Sequence, residues 1–247
     1  MLDLEQCLTI AKSAALLAGD FLLKAKGKNL EVLNNEGRDL KLQLDIDTEK
    51  LIKEYLNSKS SYAILGEELG SNNDLDGYFW VVDPLDGTSN FLRDIPISCV
   101  SIALMNKSNP LLGVIYDFNH EELYYGHIES KAYINDKEIN VSPLALKKES
   151  TLVTGIPAKS NYSDNEFSEM ICDFQAWKKV RMIGSAAMAA CYVASGKAET
   201  YKENGIFLWD VAAGAAIVSA AGGEVSLENI QVDFRVDARF SNNTIEQ

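Results

Sequence analysis

Apolar residues recur at three- and four-residue steps near the start of the chain: Leu4, Leu8, Ala11, Ala15 and Leu22. That period predicts an amphipathic helix over 3–26, with Asp3 and Gln6 spaced as a capping box and Gly27 as its stop. A second helix is expected after Asp47, where Leu51, Ile52, Tyr55 and Leu56 share one face. Residues 62–65 and 78–82 are short apolar runs of strand type, and each ends directly in acid, at Gly66-Glu67-Glu68 and at Asp83. From 98 to 141 the pattern changes to strands and turns, with strands expected over 100–105, 111–116 and 132–134. The second half alternates strands (near 151–154, 180–183 and 198–201) with helices (near 165–176, 185–195 and 210–221). Gly222-Gly223 closes the last helix, and 224–226 reads as a strand. Strands outnumber what one parallel doubly wound sheet needs, and hairpins mix with helical crossovers. The pattern therefore predicts a layered α+β architecture with helices on more than one sheet. No repeat or Pro/Gly/Ser-rich linker cuts the chain, so residues 1–247 read as one domain, an α+β half to about 143 and an α/β half from about 144.

Charge narrows the partners. Acidic residues outnumber basic ones 36 to 23, a formal net charge of −13 over 247 residues. A field of that sign repels nucleic-acid backbones and acidic membrane surfaces, so neither is expected as a partner. It also repels a phosphorylated substrate unless something cationic sits in the site; read alone, the same excess is a solvated surface that keeps the protein soluble. Cys7, Cys99, Cys172 and Cys191 form no CxxC pair and read as reduced core thiols. His120 and His127 lie in a polar, hairpin-like stretch without the further ligands a zinc site needs. Asp3 and Glu5 stand where a signal peptide would be basic, and no run approaches membrane-spanning length, so a cytoplasmic protein is expected.

The densest chemistry lies in Trp80-Val81-Val82-Asp83-Pro84-Leu85-Asp86-Gly87-Thr88-Ser89-Asn90-Phe91. An apolar strand delivers Asp83 at its end, Pro84 fixes one dihedral, and Gly87 permits a turn other residues resist. Two carboxylates three residues apart on such a turn can converge on one magnesium ion, which takes oxygen ligands. Thr88 and Ser89 can cap a short helix whose free N–H groups suit a phosphate oxygen. The competing reading is a plain Asp-Pro, Asp-Gly turn with both aspartates solvated. Glu67-Glu68 follows another strand and would ordinarily be a surface pair. Asp210, in Trp209-Asp210-Val211-Ala212-Ala213-Gly214, stands where a helix should begin and would serve as a good N-cap. One aspartate of Asp45-Ile46-Asp47-Thr48 would likewise cap the helix it precedes.

Taken together these segments resemble the inositol monophosphatase family of magnesium-dependent, lithium-sensitive phosphatases. The stretches 83–91 and 209–214 resemble its two signatures, Glu67-Glu68 stands before the first, and Gly184-Ser185-Ala186-Ala187 before the second. The likeness runs from about 36 to 240 with all motifs in order. It implies the αβαβα sandwich of the sugar-phosphatase superfamily and two to three Mg2+ ions. Glu67, Asp83 and the Leu85 carbonyl would hold the first ion. Asp83, Asp86 and Asp210 would hold the second, and a third would lean on Glu67, with Asp39 lining it. Asp45 and Thr88 would orient and deprotonate the attacking water. Gly87 and Thr88 N–H groups would receive phosphate oxygens, and Gly184, Ser185, Ala186, Asp86, Asp210 and Glu203 would face the substrate, Glu203 taking polyol hydroxyls. The implied activity is hydrolysis of a small polyol phosphate, foremost inositol 1-phosphate, by direct attack of water. Fructose-1,6-bisphosphatase and 3'(2'),5'-bisphosphate nucleotidase activities are the alternatives on the same fold, and a transcription-machinery partner is the other class. The resemblance also implies a homodimer, to which Ile102, Leu104, Ile115 and Tyr116 are expected to contribute. Two departures stand out: Arg38-Asp39 occupies a place where the family often has lysine, and the family's final helix is missing or very short.

Overall fold

The fold is known from a computed structural model, which describes residues 2–28, 31–36, 39–71, 75–156 and 162–245, the side chains of 34–41 aside. Helix α1 (Leu4–Ala25) opens on Asp3, whose Oδ1 accepts the Gln6 N–H at 3.0 Å. A small antiparallel ribbon, β1 (Val32–Glu36) and β2 (Asp39–Leu42), leads into α2 (Gln43–Lys59). The second helix thus begins before Asp47, and Asp45 and Asp47 both lie inside its first turns. The reason is local: Asp45 Oδ2 accepts the N–H of Leu42 at 2.8 Å, capping the helix from within rather than from ahead of it.

Seven strands follow in the order β3-β4-β5-β6-β7-β8-β9: β3 (Ala63–Gly66), β4 (Tyr78–Asp86), β5 (Cys99–Asn106), β6 (Asn109–Asp117), β7 (Glu122–His127), β8 (Ala132–Ile134) and β9 (Lys137–Ile139). The short helix α3 (Thr88–Leu92) stands between β4 and β5. Only β3 and β4 pair in parallel; the rest is antiparallel. β4 and β5 are nearly unbroken apolar runs because both faces of the sheet are covered. On one face α1 and α2 bury Leu8, Ala11, Ala15, Leu22, Ile52 and Leu56 against Trp80, Val82, Ile102 and Leu104.

The second sheet has the order β11-β10-β12-β14-β13, from β10 (Thr151–Thr154), β11 (Lys179–Met182), β12 (Thr200–Phe207), β13 (Glu224–Glu228) and β14 (Arg235–Ser241). Helices α5 (Ala186–Ala194) and α6 (Leu208–Ala220) lie between the two sheets, so they are apolar around nearly their whole circumference and rich in alanine. Helix α4 (Asp164–Gln175) stands outside, with no buried residue. The layers are therefore helix, sheet, helix, sheet, helix, the αβαβα arrangement expected.

Several expectations need correction. Ile102, Leu104, Ile115 and Tyr116 are buried in the core of the first sheet, so they are not free to build a dimer interface. Cys7, Cys99 and Cys191 are buried thiols, but Cys172 is exposed, because α4 covers the second sheet only loosely. His127 belongs to β7 and is buried, with its Nε2 2.9 Å from Glu5 Oε1. Helix α1, at 22 residues, does reach membrane-spanning length and apolarity. Its apolar stripe packs on the first sheet, which is what a core helix of a layered fold requires.

Candidate active site

Both strands of the parallel pair, β3 and β4, run toward one cleft, where the N-terminal turns of α2, α5 and α6 also converge. β4 does not stop at Asp83 but continues through Asp86. Asp83 faces Ser101 and Asp86 faces Cys99, so three steps on β4 match two on β5: one extra residue has been inserted. In a regular strand residues three apart point to opposite faces; the bulge restores Asp86 to the side of Asp83. Pro84, which has no N–H to donate, sits where the ladder is interrupted. Asp83 Oδ1 accepts the Leu85 N–H at 2.9 Å, which folds the bulge down.

Asp210 joins them from α6. That helix starts at Leu208, so Asp210 is its third residue and not its N-cap, and Oδ2 reaches back to the Phe207 N–H at 3.3 Å. One oxygen from each of Asp83, Asp86 and Asp210 lies within 4.8 Å of the others. Glu67 enters from the turn after β3, its N–H donating to Val82 O at 3.2 Å and its carboxyl meeting that of Asp83. Asp45 is buried in the first turn of α2, near enough for its charge to raise the pKa of Glu67. Asp39 lies on β2 with its side chain outside the described residues, and Arg38 lies outside them altogether.

Gly87 takes φ of 86°, and a Cβ there would stand 2.7 Å from the Ile97 carbonyl, so glycine alone fits before α3. The next residue, Thr88, donates from Oγ1 to Leu85 O at 3.0 Å, the carbonyl expected to face the first ion. Asn90, whose role the sequence pattern hides, ties α3 to the second half of the chain. Its Nδ2 donates to Ile97 O and Ile183 O, each at 2.8 Å.

Asp86 is held hard. Its Oδ2 accepts Ser185 Oγ at 2.6 Å and the Ala187 N–H at 2.7 Å, while Ser185 Oγ also caps α5 through Met188 N at 3.1 Å. Asp86, Gly184, Ser185, Ala186, Glu203 and Asp210 line one cavity of about 360 Å³. Gly87 and Thr88 are not among its lining residues. Tyr201, Met182 and Ile206, which no sequence motif marked, are. Glu203 sits on β12, buried against Gly155, with Oε2 accepting the Tyr201 hydroxyl at 3.1 Å.

Gathering these acids has a cost that shows in their protonation. Desolvation first, then the charges of Glu67, Asp86 and Asp210, push Asp83 well above the usual carboxylate range. Asp210 is raised likewise by desolvation and then by Asp86 and Glu203. Glu67 is exposed as a residue, yet its carboxyl is raised too, by desolvation and then by Asp210, Glu68 and Asp45. Desolvation lifts Asp86 only to about 6, because the Ser185 and Ala187 hydrogen bonds favour its ionised form. Burial lifts Glu203 to about 7, the Tyr201 hydroxyl opposing. None of the ion pairs among the described residues involves Asp83, Asp86, Asp210 or Glu67. Converging, largely desolvated carboxylates with no cationic partner among the described residues fit a hard divalent cation with oxygen ligands.

Comparison with known proteins agrees with this chemistry. The family model described as the inositol monophosphatase family matches residues 3–237. A protein of Synechocystis sp. named inositol-1-monophosphatase is 38% identical over 91% of this chain and 79% of its own length. The Nus factor SuhB of Xylella fastidiosa is 37% identical over 90% of this chain and 82% of its own. Among solved structures, inositol monophosphatase from Anabaena superposes with a TM-score of 0.85 at 33% identity, covering 98% of this chain and 93% of that one.

Proposed function

The chain belongs to the inositol monophosphatase family and is a phosphoric monoester hydrolase; on that premise we propose that the carboxylate cleft binds magnesium and hydrolyses the phosphate ester of a small polyol, foremost inositol 1-phosphate. The convergence of Asp83, Asp86 and Asp210 within 4.8 Å carries this reading. Glu67, Asp83 and the Leu85 carbonyl are the residues for one ion, Asp83, Asp86 and Asp210 for a second, and Glu67 for a third. Bound there, magnesium supplies Lewis-acid polarisation and offsets the charge of the phosphate dianion.

The chain's own groups do the rest. Asp45 and Thr88 orient the water and take its proton, and the Gly87 and Thr88 N–H groups receive phosphate oxygens. The side chains that fix this geometry are themselves fixed: Asp86 by Ser185 and Ala187, and Thr88 by Leu85. Phosphoryl transfer has a loose transition state, so such positioning and electrostatics account for most of the catalysis. Glu203 accepts hydroxyls of the ring. Among the described residues lining the cavity none is lysine or arginine, which favours a monophosphate over a bisphosphate. The adjoining groove has Lys202, but its Nζ already pairs with Asp173 at 2.7 Å.

We carry a homodimer and a cytoplasmic setting as parts of the same reading. A binding role beside catalysis is the second reading, favoured by the likeness to a Nus factor. Phosphate release from inositol 1-phosphate, fructose 1,6-bisphosphate and adenosine 3',5'-bisphosphate, each with magnesium, tests the proposal. A clear preference for inositol 1-phosphate supports it, and a preference for either bisphosphate transfers the assignment to that activity. RNA polymerase co-purifying with a catalytically idle protein would favour the second reading.

A further inference from the structure

Glu49 lies fully buried in α2, outside the cavity lining. Its Oε2 accepts the Glu68 N–H at 2.7 Å and its Oε1 the Leu69 N–H at 3.1 Å. Lys53, one turn further along, pairs with the same carboxylate at 2.8 Å and also donates to Gly70 O at 2.8 Å. The segment so gripped is the turn after β3, closed on itself by Gly66 N to Gly70 O at 3.2 Å and Gly70 N to Gly66 O at 3.1 Å. A Cβ on Gly66 would stand 2.0 Å from Glu49 Oε1, so the carboxylate reaches the turn only because residue 66 has no side chain.

Glu67 is the residue between these two points of contact. Asp45 lies four positions before Glu49, on the same face of α2. One helix thus brings a carboxylate to the cleft and, a turn later, clamps the loop that brings another. We propose that Glu49 is a positioning residue of the metal site: by fixing the 66–70 turn it aims the Glu67 carboxyl at Asp83. This rests on the reading of Glu67 as a magnesium ligand. Groups that orient metal ligands in this way typically influence metal affinity about 10–100-fold. A mere anchor of the loop would affect stability alone.

The test is calorimetric titration of Mg2+ into the full chain, with thermal unfolding measured alongside. Glu49→Gln keeps the shape but leaves an amide facing two backbone donors, and its Mg2+ dissociation constant should rise about tenfold or more. The KM for inositol 1-phosphate at saturating Mg2+ should stay near the wild-type value, with much of kcat regained there. Gly66→Ala displaces the same carboxylate from the other side without altering its charge, so it should weaken Mg2+ in the same direction. It decides the matter alone if Glu49→Gln does not fold. Ile52→Val, in the core face of the same helix, should lower the unfolding temperature and leave Mg2+ affinity unchanged. Wild-type Mg2+ affinity in both Glu49→Gln and Gly66→Ala would overturn the proposal. A wild-type chain that takes up no Mg2+ would overturn the metal-site reading first and this inference with it.

Discussion

Asp210 does two things with one carboxyl: Oδ2 accepts the Phe207 N–H, and the group closes a triangle with Asp83 and Asp86. Asp210→Asn keeps an acceptor for the helix end while removing a charge from a crowded acidic cluster. Activity should fall about 10²–10³-fold, the scale for losing one group that steadies transition-state charge. The unfolding temperature without metal should hold or rise. A stable variant of normal activity would reduce Asp210 to a helix cap. Glu203→Ala separates substrate from metal. It should cost polyol phosphates about 1–3 kcal/mol in kcat/KM and an aryl phosphate little, since the aryl ester offers no ring hydroxyls. Equal losses on both would make Glu203 structural. The acids were legible in the sequence because each follows a strand or opens a helix in a motif. The role of Ser185 toward Asp86 was not, since that contact joins positions 99 residues apart.

At the level of elements, α5 and α6 touch more closely than ordinary helices do. A Cβ on Gly214 of α6 would come within 2.3 Å of the Ala190 Cβ on α5. Alanine is the better helix former by about 1 kcal/mol, but overpacking such a contact costs about 1–3 kcal/mol. Gly214→Ala should therefore lower the melting temperature, and adding Ala190→Gly should restore much of it. A more stable single variant would mean that the helices can separate freely. The strong periods of α1 and α4 and the apolar runs of α5, β4, β5 and β6 were readable from the chain. Element ends were harder. α6 begins two residues before Asp210 because that carboxyl caps from within, just as Asp45 does in α2. β14 alternates Val236, Ala238 and Phe240 inward, but its Arg235, Asp237 and Arg239 weaken the apolar signal. The bulge that turns Asp83 and Asp86 to one side depends on pairing with β5, which no local pattern reveals.

Across the whole molecule, the acidic cleft is a source of instability that a bound cation would remove. Asp86 and Glu203 titrate near 6 and 7 in the folded protein, and Asp83, Asp210 and Glu67 are raised as well. Unfolded carboxyls titrate near ~4, so across this window the folded chain holds more protons than the unfolded one. The contribution is fully present below about pH 4 and is lost as pH rises through about 7. In excess chelator the melting temperature should thus decline from pH 5 to pH 8. Magnesium should raise it most at pH 8, where the carboxylates are free of protons. A metal-free melting temperature that climbs steadily over that range would contradict this origin. Phosphate release from inositol 1-phosphate by protein stripped with chelator, before and after magnesium is returned, tests the metal site most directly. The carboxylate site predicts no turnover when stripped and full recovery with magnesium; undiminished turnover in excess chelator would contradict it.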